Sequence, residues 1–362
     1  MNRQVFSKKI DVASLKLPFI LESGFTFESA PVVYETYGNL SESRDNVILV
    51  LHGLNAGSHG ASHDERDVSG WWEPMIGSGK ALDTDRYFVL IPNGLGSCFG
   101  TLGPLTIDPV TGQKYGADFP QITVRDMIHL TRRLLTALGI SAPSAVIGGS
   151  LGGMQALEWA VSFPEDGADV IGIVAPERAS AQSIGFNHIM KQAVENDPNW
   201  QGGYYEENQS PEKGLALARA VGMMTYQTAE SAEQKFARRR REGQWEMGNY
   251  LDHQGVKFAL RFDANSYLRL LGAMDSHDLT RGRAEYPKEL AGKKGRIFLI
   301  GDDSDLLYGI SNQKELAEKW VEAGADARWH DLDTFYGHDS FLVDFPKLSA
   351  VIRDFMEEKG SR

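Results

Sequence analysis

Five short runs of apolar residues, at 47–51, 87–91, 145–147, 170–174 and 296–300, stay hydrophobic without alternating and are rich in Val and Ile. Strands buried on both faces read this way, whereas a half-solvated strand alternates. Helical patterns separate the runs, and such alternation predicts a mainly parallel sheet with helices on both faces. The pattern then changes for more than a hundred residues. Between the fourth and fifth runs the text is helix-like, as in AQSIGFNHIMKQAVEN, PEKGLALARAVGMMTY, SAEQKFARRRREG and DANSYLRLLGAMD. Strand text resumes at Arg296. A helical insertion between two strands of one sheet explains both changes. The expected organisation is a core of residues 1–177 and 291–362, with a lid at 178–290.

The turn after the third run carries the chemistry. Ala145-Val-Ile-Gly-Gly-Ser150-Leu-Gly-Gly-Met reads as a strand, then a Gly-x-Ser-x-Gly turn, then a helix. Glycines at 148 and 152 remove the side chains that would collide in so tight a turn, leaving Ser150 strained and exposed above the sheet. This arrangement predicts the α/β-hydrolase fold with Ser150 as nucleophile. A serine hydroxyl needs a base, itself held by an acid, and in this fold both follow the serine in chain order. His338, in the loop Phe335-Tyr-Gly-His-Asp339 before the last helix, is the base; His330 lies in strand-like text and is expected as a wall or surface residue. The fifth run leads into Gly301-Asp302-Asp303-Ser304-Asp305, where three aspartates compete and spacing does not choose. The turn His52-Gly53-Leu54-Asn55 after the first run suits an oxyanion loop, with the amides of Leu54 and Leu151 as donors.

Composition narrows the remaining options. Hydrophobic residues at 42% and charged residues at 24% are ordinary for a chain that buries a core. The net charge of −12 disfavours nucleic acid and anionic membrane as partners. The basic run 238–241 is a local exception, expected as a solvated helix face, with contact to the phosphates of a nucleotide-bearing substrate as the alternative. The single cysteine, Cys98, excludes an internal disulfide framework and a multi-cysteine metal site, and its expected role is packing. Neither a signal-peptide pattern nor a run of transmembrane length is present, which reads as cytoplasmic. No cofactor and no metal is expected.

Longer motifs extend the picture along the chain: GWWEPMIGSGKALDTDRYFVL, TGQKYGADFPQITVRDM, GGSLGGMQALEWA, NDPNWQGGYY, RFDANSYL, SDLLY and YGHDSFL. Together they resemble the homoserine transacetylases. The resemblance implies an acyl-enzyme on Ser150, Asp305 as the triad acid, and Arg219, Tyr226 and Asp339 as residues that hold an amino-acid acceptor. It also implies a homodimer formed through the lid.

Departures from the family pattern cluster near the serine. Asn55 replaces a usual threonine, Leu102 another, and Leu105 a small residue. Phe99 stands where members that use succinyl donors tend to carry arginine, so a short uncharged acyl group is favoured. Acyl transfer and hydrolysis share acylation of Ser150 and differ in what attacks next. Asn55, Phe99, Leu102 and Leu105 point to an esterase for short acetate esters, and a small-molecule ester is the expected partner. The alternative, favoured by Arg219, Tyr226 and Asp339, is homoserine O-acetyltransferase.

Overall fold

The computed structural model describes residues 6–358. Eight strands form one sheet: β1 (Lys8–Asp11), β2 (Pro31–Tyr37), β3 (Val47–Leu51), β4 (Phe88–Pro92), β5 (Ala145–Gly149), β6 (Asp169–Ile173), β7 (Ile297–Gly301) and β8 (Ala327–Asp331). Their spatial order is β1-β2-β4-β3-β5-β6-β7-β8. The strands from β4 to β8 are parallel neighbours, whereas β1 and β2 pair antiparallel at one edge. All five continuous apolar runs form parallel strands. In β3 the residues Val47, Leu49 and Leu51 enter one apolar cluster and Ile48 and Val50 the other. Both faces are therefore covered, which is why the run needs no polar alternation.

Helices α1 (Val124–Ala137) and α2 (Leu151–Ser162) share the first cluster. The insertion comprises α3 (Ala181–Glu195), α4 (Glu212–Tyr226), α5 (Ala229–Phe236), α6 (Glu246–Ala259) and α7 (Ala264–Asp275). Then come α8 (Ile310–Glu322), the short α9 (Ser340–Val343) and α10 (Phe345–Glu357); α8 joins the first cluster and α10 the second.

The insertion leaves and rejoins the core at one place. The Ala179 amide donates to the His277 carbonyl at 2.9 Å, and the Leu279 amide to the Glu177 carbonyl at 3.0 Å. Arg178 and Asp278 thus pair as an isolated bridge. The stem closes at Asp278, short of the expected boundary at 290, because the segment beyond it packs on the core: Arg283 pairs with the buried Glu158 of α2 and donates to Ser162 at 2.7 Å.

The basic run differs from expectation. Helix α5 ends at Phe236, Ala237 takes a positive φ of 47°, and Arg240–Arg241 pairs with Gln244–Trp245 as a small hairpin. Glu242 and Gly243 supply the two positive φ values, 53° and 83°, that the tight turn requires. The arginines remain solvated, with Arg238 and Arg240 lying over the Trp245 ring.

Candidate active site

Ser150 occupies the turn between β5 and α2 with φ 56° and ψ −123°, a strained conformation for a residue with a side chain. The glycines around it are required by close packing. A Cβ on Gly148 would lie 2.2 Å from the Gly152 carbonyl oxygen, and one on Gly152 would lie 1.9 Å from that of Leu51. The Leu151 amide opens α2, where first-turn N–H groups have no intrahelical acceptor. Across from it, the turn after β3 comes close: a Cβ on Gly53 would lie 4.0 Å from Ser150 Cβ. Buried His52 fixes that turn. Its Nε2 accepts the Gly94 amide at 2.9 Å, so its Nδ1 carries the proton and donates to the Gly53 carbonyl at 2.8 Å. Burial lowers the pKa of His52 and keeps it neutral in this role.

His338 Nε2 lies 2.8 Å from Ser150 Oγ, and its Nδ1 lies 2.9 Å from Asp305 Oδ2. The structure thereby separates the three competing aspartates. Asp303 is exposed, and Asp302 is buried but turned toward Ser304 and Thr334. Only Asp305 of the three meets the imidazole. Burial alone would depress the His338 pKa, but the Asp305 charge and hydrogen bond, aided by Asp339, outweigh it and raise the pKa above the ordinary imidazole value. Chemically, this is a serine whose proton has a base to go to and an acid to stabilise the resulting imidazolium. His330 is exposed on β8, at the surface rather than in the site wall.

A cavity of about 1040 Å³ opens over Ser150 and His338. Leu54, Asn55, Phe99, Arg219, Tyr226 and Asp339 all line it. Arg219 sits with its guanidinium carbon 5.7 Å from the Tyr226 ring centre, and Tyr226 is 5.5 Å from the His338 ring. Burial raises the Asp339 pKa, against the opposing pull of His338 and Arg219. Asn55 Oδ1 is buried and has no hydrogen-bond partner. Phe99 packs edge-on to Phe262 at 5.6 Å.

Leu102 is not among these residues. It is fully buried in the core, its amide donating to Pro31 and its carbonyl accepting from Gly96. Leu105 is partly exposed and does not line the cavity either. Both belong to a glycine-rich loop whose text does not reveal which way each side chain faces. Cys98 packs against that core, and burial pushes its thiol up to about 12.

Other residues at the site have roles that the sequence did not assign to them. Lys257 in the last turn of α6 and Arg261 just beyond it are exposed at the cavity mouth. Their four-residue spacing is the one signal available, and it is also that of an ordinary solvated helix face. Asp302, Ser304 and Thr334 connect the acid and base loops: Ser304 Oγ donates to Asp302 at 2.5 Å and accepts the Gly337 amide at 3.0 Å. Thr334 Oγ1 donates to the other Asp302 oxygen at 2.5 Å.

The alpha/beta hydrolase fold family profile matches residues 46–344. A homoserine O-acetyltransferase of Carboxydothermus hydrogenoformans is 43% identical over 354 residues, covering 94% of this chain and 93% of that enzyme. Among solved structures, homoserine O-acetyltransferase from Bacillus anthracis superposes with a TM-score of 0.87 at 28% identity, covering 97% of this chain and 98% of that one. Esterase E22 superposes with a TM-score of 0.85 at 27% identity, covering 96% and 99%. The backbone is therefore equally like a transferase and an esterase, and the stronger sequence likeness is to the transferase.

Proposed function

The chain belongs to the homoserine transacetylase family of α/β-hydrolases, and from that premise we propose that it moves acetyl from acetyl-CoA to the hydroxyl of L-homoserine through an acetyl-Ser150 intermediate. One observation carries the choice of acceptor over water: Arg219, Tyr226 and Asp339 line the same cavity as Ser150 and His338. They offer charges of both signs to a zwitterionic amino acid. The case for hydrolysis loses weight by the same geometry, since Leu102 lies in the core and Leu105 off the cavity.

In the first half-reaction Ser150 Oγ attacks the thioester carbonyl while His338 Nε2 takes its proton. The oxyanion is received by the Leu54 and Leu151 amides. Collapse breaks the C–S bond, and His338 returns the proton to the departing thiolate. In the second half the homoserine hydroxyl attacks the acetyl carbonyl, losing its proton to His338. Collapse then breaks the bond to Ser150 Oγ, which regains the proton as O-acetylhomoserine leaves. Asp305 holds Nδ1 and stabilises the imidazolium in both halves.

Lys257 and Arg261, with Arg219 deeper in, make a cationic entrance on a chain of net charge −12. Such an entrance suits the phosphates of an anionic donor. Exposed Leu217, Met224, Val256 and Leu260 on α4, α6 and the turn after α6 support the lid as the face of a homodimer.

Hydrolysis of short acetate esters is the second reading, resting on Phe99 in the cavity wall. Purified enzyme with acetyl-CoA, with and without saturating L-homoserine, separates the two. O-acetylhomoserine as the main product supports transfer; free acetate at an unchanged rate replaces it with hydrolysis.

A further inference from the structure

Strand β2 and the loop after β3 bring three ligand-type side chains together beside the same cavity, two of them on its wall. Glu35 Oε2 lies 3.0 Å from His59 Nδ1 and 2.9 Å from His63 Nε2. The three ligand atoms all fall within 4.8 Å of one another. Glu35 and His59 line the cavity. No step of the acyl transfer uses them.

The hydrogen bonds around the cluster admit two states: against burial, the Val68 carbonyl and Glu35 raise the His59 pKa and a protonated ring donates to Glu35 from Nδ1, whereas a neutral ring cannot. His59 Nε2 is 2.8 Å from the Val68 carbonyl oxygen, which can only accept, so the ring proton sits on Nε2. A neutral His59 then turns the Nδ1 lone pair toward a carboxylate oxygen, two acceptors face to face. A cation shared between them removes the repulsion. The other contacts hold the ligands ready for it. Tyr37 takes the Gly60 and Ala61 amides on its hydroxyl and so donates its own proton to Glu35 Oε2 at 3.1 Å. The Ser58 hydroxyl lies 3.3 Å from Oε1. The His63 ring is stacked between Phe6 and Tyr37, with centroids at 4.3 and 4.5 Å. Metal ligands are commonly oriented in this way by partners on their far side.

We propose that Glu35, His59 and His63 form a zinc site, with a fourth position left to water on the cavity side. Two imidazoles and one carboxylate suit Zn²⁺ in tetrahedral geometry. Bonds of about 2.0 Å place neighbouring ligand atoms roughly 3.3 Å apart. The two contacts to Glu35 would open by a few tenths of an ångström, and the histidine nitrogens would close by at most roughly 1.5 Å from the 4.8 Å limit. His59, the more exposed of the two rings at 26%, has room to make that movement. The bound ion would clip the loop at 56–71, which forms much of one cavity wall, onto β2. The site stands independently of whether water or homoserine deacylates Ser150.

The test uses the full chain, stripped with chelator and titrated with Zn²⁺ by calorimetry, then with Co²⁺ as a spectroscopic substitute. The expected result is one equivalent of Zn²⁺ per chain, tetrahedral cobalt absorption, and a thermal midpoint that rises with zinc. Affinity should fall at least tenfold in His63→Gln and in His59→Gln. The second variant alters the more exposed ring, so folding, followed by circular dichroism, is preserved there if His63→Gln unfolds. Absence of saturable binding overturns the site, as does zinc binding that His59→Gln leaves unchanged. In either case the cluster is a protonated histidine on a carboxylate and no more.

Discussion

The side-chain oxygen of Ser304 accepts the backbone N–H of Gly337 at 3.0 Å, and Gly337 immediately precedes His338. Since Ser304 is also next to Asp305, a single hydroxyl ties the loop that carries the acid to the loop that carries the base. Removing it should loosen their registration without touching either reacting group. Ser304→Ala is expected to lower kcat about tenfold, as the loss of roughly 1–1.5 kcal/mol of hydrogen bonding would, with KM little changed. A kcat within twofold of wild type would deny Ser304 this positioning role.

The nucleophile is the sharpest case. Ser150→Ala should cost about three or more orders of magnitude in acetyl release while leaving the thermal midpoint nearly unchanged, because the hydroxyl serves only the base. Intact-mass measurement should show acetylated wild-type protein during turnover and none in the variant. Turnover near the wild-type rate would rule Ser150 out.

Among the aspartates, Asp305→Asn should lose about three to four orders of magnitude in kcat, since an amide cannot stabilise the imidazolium. Asp303→Asn, at an exposed position, should be close to neutral. Asp302→Asn should mainly lower stability, measured by urea denaturation, because Asp302 anchors Ser304 and Thr334. An activity loss at Asp303 matching that at Asp305 would contradict this ordering.

His338 must be neutral to accept a proton, and its pKa lies above the ordinary imidazole value because Asp305 outweighs burial. The rate of Ser150 acylation should therefore rise with pH through a midpoint higher than that of a free histidine, and be lost as pH falls below it. Asp339→Asn removes one contributor to the raised pKa and should move the midpoint down. Stopped-flow acylation across pH measures both; a midpoint that moves up would reverse the assigned sign.

At the cavity mouth, the double substitution Lys257→Ala and Arg261→Ala should raise KM for acetyl-CoA several-fold, with a larger effect at low salt. Hydrolysis of ethyl acetate, which carries no charge, should be nearly unaffected. Equal effects on both substrates would mean that the two cations shape the cavity rather than attract the donor.

How much of this was legible beforehand depends on how each residue announces itself. The parallel strands could be read because burial on both faces leaves an unbroken apolar run, as in β3. Strand β2 could not, because Glu35 breaks its text, and that carboxylate is satisfied by Tyr37 of the same strand together with Ser58, His59 and His63 from a distant loop. Turn geometry and chain order point to Ser150 and His338, which the fold brings within 2.8 Å of each other. The choice of Asp305 came from family likeness, and geometry supplies the reason spacing lacked: Asp302 is engaged elsewhere. The misplacement of Leu102 and the helix expected at Arg238 to Arg241 share one cause. Glycine-rich or charge-rich text specifies solvation and flexibility but not direction, and tertiary packing decides the rest.

The paired carbonyls and amides of Glu177, Ala179, His277 and Leu279 give the helical insertion a single doorway into the sheet. Ser150, Asp305 and His338 stay on one side of that doorway, while Arg219 and Tyr226 travel with the other. On the proposed function, the chain is thus divisible at two neighbouring peptide groups into a part that carries the acyl-bond chemistry together with Asn55, Phe99 and Asp339, and a part that brings Arg219 and Tyr226 to the incoming molecule. Exchange of the second part between relatives, cut at those groups, would transplant a preference for guests while leaving the bond-making machinery of the host as it was.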